Sequence, residues 1–303
     1  MGSFRDPANL PTPRKGICDY SDVAYDMANH RHAPPTNMDS ALDTIQFFAD
    51  SANSVRVFEA LTAGPTTSRE LAEQTGASRS TVARILDTGE SRGWISSEGS
   101  QYELTEEGGI MIAEFRAYLQ TVEGIQHLGN AIEWLPSPVR SLDFRHFRTV
   151  EIITPKTPAP SRPYDHVAEK IRTTDEVRSL VEVTLPRYVT LIHEQVNERQ
   201  LTAELVIESD WIATLPAESE QLPLLRFRAE RESIWTYDGE IPLNMHIFDE
   251  SVTIWLGEQR DEERVVRGLL VAETPAIMSW AEELYEDYRD EAELLDPEAL
   301  PTT

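Results

Sequence analysis

The sequence predicts an α+β protein with a helical N-terminal head, a long linking helix and a C-terminal domain of mixed α/β structure. Three observations support this fold class. Residues 65–105 change from two short amphipathic helices to a two-stranded hairpin, residues 106–135 carry apolar side chains at helical spacing, and candidate strands alternate with candidate helices beyond residue 140. The 303 residues suffice for about two domains.

The composition is strongly acidic. The chain has 27 basic and 53 acidic residues, a net charge of −26 and a pI near 4.6. Its lysines are Lys15, Lys156 and Lys170, so arginine supplies most of the positive charge. Molar salt shortens the Debye length to ~3 Å and screens the resulting self-repulsion. We therefore expect a cytoplasmic protein of a salt-accumulating halophile, most consistent with an archaeon; an ordinary acidic protein is the alternative.

Sequence motifs give little support for an enzyme. Cys18 is the only cysteine, which excludes an intramolecular disulfide and a cysteine-based metal site. The chain contains no HExxH, G-x-S-x-G, P-loop or G-x-G-x-x-G motif. We predict no catalytic residue, no cofactor and no metal site, since His30 and His32 in a polar tail are weak ligands. The sequence also has no apolar run long enough for a membrane span and no signal peptide.

The first 37 residues are rich in Pro, Asp, Asn and Arg and lack apolar periodicity, so we predict a disordered tail. Structure is expected to begin at Met38, and both Met1 and Met38 remain candidates for the biological start. Residues 40–63 are predicted to be helical, with a break near Ser51–Ser54. These helices should pack beneath the apolar faces of the helices that follow.

Residues 65–105 predict helix, turn, helix and hairpin in that order. Ser68 is the expected N-cap of the first helix, which ends at Gly76, and Ser78 caps the second. The second helix has Val82, Ile85 and Leu86 on its inner face. Its exposed N-terminal face carries Arg79, Ser80, Thr81 and Arg84. Two strands, Trp94-Ile95 and Tyr102–Leu104, follow Gly93 and flank a turn at Ser97–Ser100.

This order resembles the winged helix-turn-helix transcription regulators, whose second helix enters the DNA major groove. The matching residues include Ser68–Ala72, Gly76, Ser80–Val82, Gly93–Ile95 and Leu104–Gly108. The resemblance implies DNA-binding residues at Arg69, Ser78, Arg79, Ser80, Thr81, Arg84 and Gln101. Two features depart from the pattern: Gly89 stands where a core leucine is usual, and the wing tip carries Glu98 instead of a basic residue.

Residues 106–138 are predicted to form a linking helix that ends at Pro136-Ser137-Pro138. Its apolar coverage is broad and includes Ile125, Leu128 and Ile132. We interpret this excess as a dimer interface or a connecting rod. The alternative is packing against the C-terminal domain of the same chain.

Beyond residue 140 the pattern is mixed α/β. The strand candidates are Val150–Thr154, Leu201–Glu208, Ser233–Tyr237, Leu243–Phe248, Val252–Leu256 and Val265–Ala272. The helix candidates are Tyr164–Val181, Pro186–Arg199 and Pro275–Leu294. Turns between neighbouring antiparallel strands are expected at Asp238-Gly239 and at Phe248–Ser251.

The C-terminal region also resembles the corresponding domain of an archaeal regulator family named after a methanogenesis and filamentation regulator. The resemblance rests on Ile152–Thr154, Asp175–Leu180, Phe248–Val252 and Trp280–Arg289. It implies a regulatory, effector-sensing domain without specifying the effector. Within it, Trp235, His246 and Trp255 are candidate lining residues of a small-molecule pocket. The alternative is that these aromatic side chains form part of the core.

These predictions divide the chain into a disordered tail (1–37), a winged helix-turn-helix head (38–105), a linking or dimerisation helix (106–138) and an α/β regulatory domain (140–303). We predict a transcription regulator that binds double-stranded DNA, forms a homodimer and takes a small-molecule effector. A protein-interaction module that uses the head for docking is the alternative, and an enzyme is the remaining class.

Overall fold

The computed structural model describes residues 37–199, 201–231, 233–260 and 263–301. The chain divides into two compact units, Met1–Asp50 and Ser51–Thr303. The described part of the first unit contains helix α1 (Asn37–Ala49). Residues 1–36 of the predicted tail 1–37, with Cys18, His30 and His32, lie outside the described residues, and Asn37 begins α1.

The second unit begins with the rest of the head. Its elements are α2 (Ala52–Leu61), β1 (Thr66–Thr67), α3 (Ser68–Thr75), α4 (Arg79–Ser91), β2 (Ile95–Glu98) and β3 (Gln101–Leu104). Helix α2 packs against α3 and α4, and the strands form a small antiparallel sheet in the order β1-β3-β2. The apolar faces of the helices meet in a core in which Phe58, Leu71 and Ile85 are fully buried. The predicted order of helices and hairpin is present, with β1 as an additional strand.

The start of α3 differs from the prediction. The N-cap is Thr67, not Ser68: the Thr67 hydroxyl accepts a hydrogen bond from the Glu70 amide, and the Glu70 carboxylate accepts one from the Thr67 amide at 2.9 Å. This reciprocal capping box requires Glu three residues after the cap, and only Thr67 has that spacing. The predicted end of α3 is confirmed, since Gly76 has a φ of 69°.

Gly89 allows a close approach between α4 and the hairpin. A Cβ atom at this position would lie 2.5 Å from Ile95 Cδ1 and 3.3 Å from Phe58 Cζ. Ile95 is itself buried and cannot move away freely. The glycine that departs from the family pattern is therefore a packing requirement in this head.

The linking region is shorter as an α-helix than predicted. Helix α5 (Glu106–Leu128) is capped by Thr105 and ends at Gly129, which has a φ of 51°. A 3₁₀ segment (Gly129–Trp134), the short α6 (Ser137–Arg140) and a second 3₁₀ segment (Phe144–Thr149) follow. At Gly124 a Cβ would overlap the Phe144 carbonyl oxygen, so α5 and the second 3₁₀ segment touch backbone to backbone.

The remaining elements form a three-layer α/β arrangement. They are β4 (Glu151–Ile153), α7 (Arg162–Thr173), β5 (Glu176–Val181), α8 (Pro186–Arg199), β6 (Thr202–Glu208), α9 (Ser209–Ala213), α10 (Leu222–Ala229), β7 (Ile234–Tyr237), β8 (Met245–Phe248), β9 (Val252–Arg260), β10 (Glu263–Ala272), α11 (Pro275–Glu291) and β11 (Glu293–Leu294). The eight strands are ordered β11-β7-β6-β5-β8-β9-β10-β4. Strands β5, β6 and β7 are parallel, and the other pairings are antiparallel.

Helices cover both faces of this sheet. Helices α7, α8 and α10 pack on one face, and α11 packs on the other beside the end of α5 and the segment Gly129–Trp134. Leu128, Ala131 and Leu135 are buried in this second layer, with Ile132 partly buried beside them. The same chain therefore covers Leu128 and Ile132, as the alternative interpretation of the linking helix expected.

Two C-terminal predictions are wrong. Residues 164–181 do not form one helix: α7 ends at Thr173, and Glu176–Val181 is the central strand β5. The Asp249 carboxylate accepts the Asp175 and Glu176 amides at 2.9 Å, so contacts distant in sequence fix the chain as it enters β5. Asp238-Gly239 does not join neighbouring strands, because β7 lies between β11 and β6 whereas β8 lies beside β5. The Phe248–Ser251 turn does connect the adjacent strands β8 and β9.

Candidate nucleic-acid interface and ligand cavity

The N-terminus of α4 is organised by Ser78. Its Oγ accepts a hydrogen bond from the Thr81 amide at 3.1 Å and lies 3.0 Å from Ser80 Oγ and 2.8 Å from Thr81 Oγ1. Ser78 therefore caps the helix, as predicted, and holds the two neighbouring hydroxyls in a compact group. The hydroxyls of Ser80 and Thr81 lie in the first turn, where unpaired backbone amides also attract anions.

Arg79 and Arg84 project from the exposed part of α4. Neither forms an ion pair with any part of the chain that the structure describes. Their five-residue separation places them about 140° apart around the helix. Each guanidinium therefore keeps its donors free for an external acceptor.

The other predicted contact residues are placed differently. Arg69 on α3 forms an ion pair with Glu73 at 3.0 Å, and this hydrogen bond raises the Arg69 pKa. Gln101 lies exposed on β3, paired in register with Glu98 at the wing tip. The Arg92 guanidinium lies 4.9 Å from the centre of the Trp94 ring. Two of the head's exposed arginines without an ion pair in the described chain therefore lie on α4, and Arg56 on α2 is a third.

The predicted pocket residues divide between two faces of the C-terminal sheet. His246 on β8 and Trp255 on β9 line a cavity of about 100 Å³ together with Tyr164 and Tyr188. Trp235 is not part of it, and its inclusion was wrong. Its strand β7 is separated from β8 by β6 and β5, and Trp235 packs in the opposite layer with the Arg289 guanidinium 3.5 Å from its ring centre.

His246 is a buried, neutral histidine. Its Nδ1 lies 2.9 Å from Ser179 Oγ, and the Trp255 indole N–H donates to its Nε2 at 3.5 Å. Since an indole nitrogen can only donate, the proton of the imidazole belongs on Nδ1, facing Ser179. Burial lowers the His246 pKa to about 4.

The sequence did not identify the other lining residues, which include Tyr164, Tyr188 and Asn244. They come from the first turn of α7, the first turn of α8 and the segment before β8. No local pattern links positions that lie up to 80 residues apart. A correct strand assignment for Glu176–Val181 would have placed α7 and α8 beside the same strand and brought the two tyrosines together.

Two other kinds of site are absent from the described ranges. Among the residues described, no group of three His, Cys, Asp or Glu side chains could hold a metal ion. No helix in the described ranges is long and apolar enough to cross a membrane.

The chain thus has a helix-turn-helix head with a hairpin, joined to an α/β domain that contains a cavity. Two family models match these parts in order. Residues 42–127 match the HVO_A0261 N-terminal domain, and residues 160–291 match the middle domain of the methanogenesis regulatory protein FilR1. The resemblance to archaeal winged-helix regulators is therefore confirmed, and the chain has the domain composition of a transcription-regulator family.

Several solved structures match this chain at low similarity. TrmBL2, described as an archaeal chromatin protein, is 14% identical with a TM-score of 0.37 and covers 84% of this chain and 99% of its own. Nuc, a phospholipase D family member from Salmonella typhimurium, is 11% identical with a TM-score of 0.37. The match covers 48% of this chain and 96% of Nuc. NucT from Helicobacter pylori is 11% identical with a TM-score of 0.36, covering 48% and 98%. Comparison with curated proteins gave no match.

Proposed function

We propose that this protein is a DNA-binding transcriptional regulator of a halophilic archaeon, acting in the cytoplasm. Its head reads promoter DNA through α4, and its C-terminal domain senses a signal. The observation that supports DNA reading most directly is the exposed N-terminal half of α4, where Arg79 and Arg84 have no ion-pair partner in the described chain. On this proposal the protein is a binding protein without catalytic activity.

The charge of the head fits binding at high salt. Residues 65–105 contain four arginines and six acidic residues, so the head gains little from general attraction to phosphate. In a molar-salt cytoplasm the counterion-release contribution is small in any case. Specific binding then depends on hydrogen bonds to base edges in the major groove. Arg84, one turn into the helix, is suited to a guanine edge, whereas Arg79 at the N-terminus is suited to phosphate or a base.

The test compares arginine-to-alanine variants by their binding to promoter DNA from the host, in molar KCl. Arg84→Ala should cost ~1–3 kcal/mol of specific binding and relax base preference at one operator position. Arg79→Ala, if that residue contacts phosphate, should weaken binding to all sequences alike and reduce the salt slope by about one. Arg69→Ala should have a smaller effect, because Glu73 already neutralises that side chain.

Arg172→Ala serves as the matched control. Arg172 is an exposed arginine on α7, paired with Glu169, and its removal changes the net charge equally. Wild-type binding by both α4 variants would contradict DNA reading by this helix. It would favour the alternative, a head that docks onto a protein, which the acidic wing tip at Glu98 suits better than DNA. A pull-down from the host separates these outcomes by recovering promoter DNA or a partner protein.

We also propose a homodimer that forms through α5. With Leu128 and Ile132 covered by the chain itself, α5 still exposes Ile110 and an outer stripe of Met111, Tyr118, Val122 and Ile125. Tyr118 and Ile125 are 58% and 42% exposed. The stripe residues follow one another by seven, four and three positions, which keeps them on one side of the helix, while Phe115 between them is buried in its own chain. Two-fold DNA sites are read by two-fold proteins, so the stripe suits a dimer contact.

A further inference from the structure

The cavity beside His246 lies where the direction of the sheet changes. Strand β5 is parallel to β6 on one side and antiparallel to β8 on the other. The cavity opens at the carboxyl end of β5, beneath the first turns of α7 and α8. In open α/β sheets, ligands bind in crevices outside the carboxyl ends of strands, and β5 ends beside this cavity. Its position is therefore that of a ligand site.

The lining carries no ionised side chain. The described residues around the cavity include no Asp, Glu, Lys or Arg, and burial lowers the pKa of His246 so that it stays neutral at physiological pH. An ion placed here would lose its hydration without gaining a counter-charge, which is costly. This is unusual in a chain with 53 acidic residues. The lining itself therefore favours an uncharged group.

The walls favour a flat group. The rings of Tyr164 and Trp255 have their centres 4.8 Å apart, and the Tyr188 ring meets the His246 ring edge-on at 6.0 Å. Aromatic walls of this kind bind other rings by offset stacking and edge contacts. A closed cavity of ~150 Å³ binds benzene. This cavity of about 100 Å³ is open on one side and takes one ring, leaving substituents outside.

Asn244 supplies a directed hydrogen bond. Its Oδ1 accepts from the Glu182 amide at 2.8 Å and from the Val183 amide at 3.5 Å, which fixes the orientation of the side-chain amide. Asn244 borders the cavity, and its Nδ2 makes no hydrogen bond within the described chain. A further polar row, Ser179, His246 and Thr253, crosses the buried floor, and the Thr253 hydroxyl also lacks a partner among the described residues. The Asn244 side-chain amide can therefore donate a hydrogen bond to a molecule in the cavity.

We propose that this cavity binds the uncharged ring of a small aromatic or heteroaromatic molecule whose carbonyl oxygen or ring nitrogen accepts a hydrogen bond from Asn244. This molecule is the signal of the regulator, so the inference rests on the proposed function for its biological meaning. The binding event itself does not require DNA.

The test uses three molecules of one shape and different charge: benzamide, benzoate and benzamidinium. Each is titrated into the full-length protein in molar KCl while the indole N–H resonance of Trp255 is followed by NMR; Trp255→Phe identifies that resonance. Benzamide should shift it with saturation in the millimolar range, and each ion should bind at least tenfold more weakly. Stronger binding by either ion, or no saturable shift with any of the three, would overturn the proposal.

The Asn244→Asp variant tests the donor. An aspartate keeps an acceptor for the Glu182 and Val183 amides but lacks the Nδ2 donor and adds a negative charge. Benzamide binding should weaken about tenfold, and benzamidinium should become the preferred member of the series. Asn197→Asp, on the exposed side of α8, adds the same charge away from the cavity and should leave the wild-type order unchanged. An unchanged order in Asn244→Asp would contradict the assigned role of Asn244.

Promoter affinity, measured with and without benzamide, separates this inference from the proposed function. If the protein binds benzamide but not promoter DNA, the inference about the cavity stands and the proposed regulator function is wrong. If the protein binds promoter DNA but its cavity prefers an ion, the proposed regulator function stands and the inference about the cavity is wrong.

Discussion

At the scale of single residues, His246 has a measurable effect on stability. A histidine in the unfolded chain titrates near 6.5, whereas burial lowers the pKa of His246 to about 4 in the fold. Between these values the unfolded chain binds a proton that the folded chain does not, so stability is full above pH 6.5 and falls as the pH drops. The loss attributable to His246 reaches about 3 kcal/mol by pH 4.

His246→Asn should abolish this contribution. Asparagine keeps a polar atom near Ser179 and does not titrate, so its free energy of unfolding should fall less steeply than that of the wild type from pH 6.5 to 4. Denaturant unfolding of both proteins across this range, in molar KCl, measures the two slopes. Equal pH slopes for the two proteins would show that the pKa of His246 is not lowered in the fold.

Residue assignments that depend on the local sequence were correct for Ser78 and Gly76, whereas the cap of α3 lies one residue before the predicted Ser68. Ser78 caps α4 and Gly76 ends α3 because both roles depend on the next few residues. Trp235 failed because membership of a cavity depends on strand order, which places β6 and β5 between its strand and His246. Asn244 was missed because its role arises from two backbone amides about 60 residues earlier in the chain.

At the scale of elements, the contact between α5 and the 3₁₀ segment Phe144–Thr149 depends on one glycine. Gly124→Ala places a methyl group against the Phe144 carbonyl oxygen, and backbone atoms cannot rotate away. We expect a loss of roughly 1–3 kcal/mol in the free energy of unfolding. Gly109→Ala on the same helix meets nothing within 4 Å and should gain roughly 0.5–1 kcal/mol. Equal effects in urea unfolding would contradict the close contact.

Strand β5 was predicted to be the second half of a helix over Tyr164–Val181. Residues 164–181 contain apolar side chains at helical spacing in their first half, and α7 forms there. Strand β5 follows because Val177, Leu180 and Val181 are buried on the two faces of a covered sheet, where polar alternation disappears. A short strand buried on both faces cannot be distinguished from a helix continuation by periodicity.

At the scale of the whole molecule, the proposed dimer makes a direct prediction. Tyr118→Glu and Ile125→Glu each place a charge on the outer stripe of α5 and should convert a dimer to a monomer in molar KCl. Ala113→Glu adds the same charge to the same helix on its exposed side opposite the stripe, and should remain dimeric. Light scattering gives the mass directly. A wild-type monomer would reject the dimer, and a dimer in both stripe variants would place the interface elsewhere.

The β9–β10 hairpin has one face toward the cavity and the other toward the linking region. Gly257 and Val266 border the cavity, whereas Glu258, next in the chain, accepts a hydrogen bond from the Trp134 indole at 3.0 Å and pairs with Arg267 at 2.7 Å. Trp134 ends the segment that follows α5. We therefore propose that a bound molecule that displaces the hairpin also shifts the segment that follows α5.

Thermodynamic linkage requires that the cavity and the DNA-binding site change each other's affinity equally. If cavity occupancy changes DNA affinity by some factor, DNA must change affinity for the occupant by the same factor. Trp134→Phe removes only the indole donor, so it should bring both factors toward one while leaving each separate affinity near its wild-type value. Trp280→Phe, in the same core, should leave the factors unchanged. Two titrations measure the two factors. Benzamide is titrated with and without promoter DNA, and promoter DNA is titrated with and without benzamide.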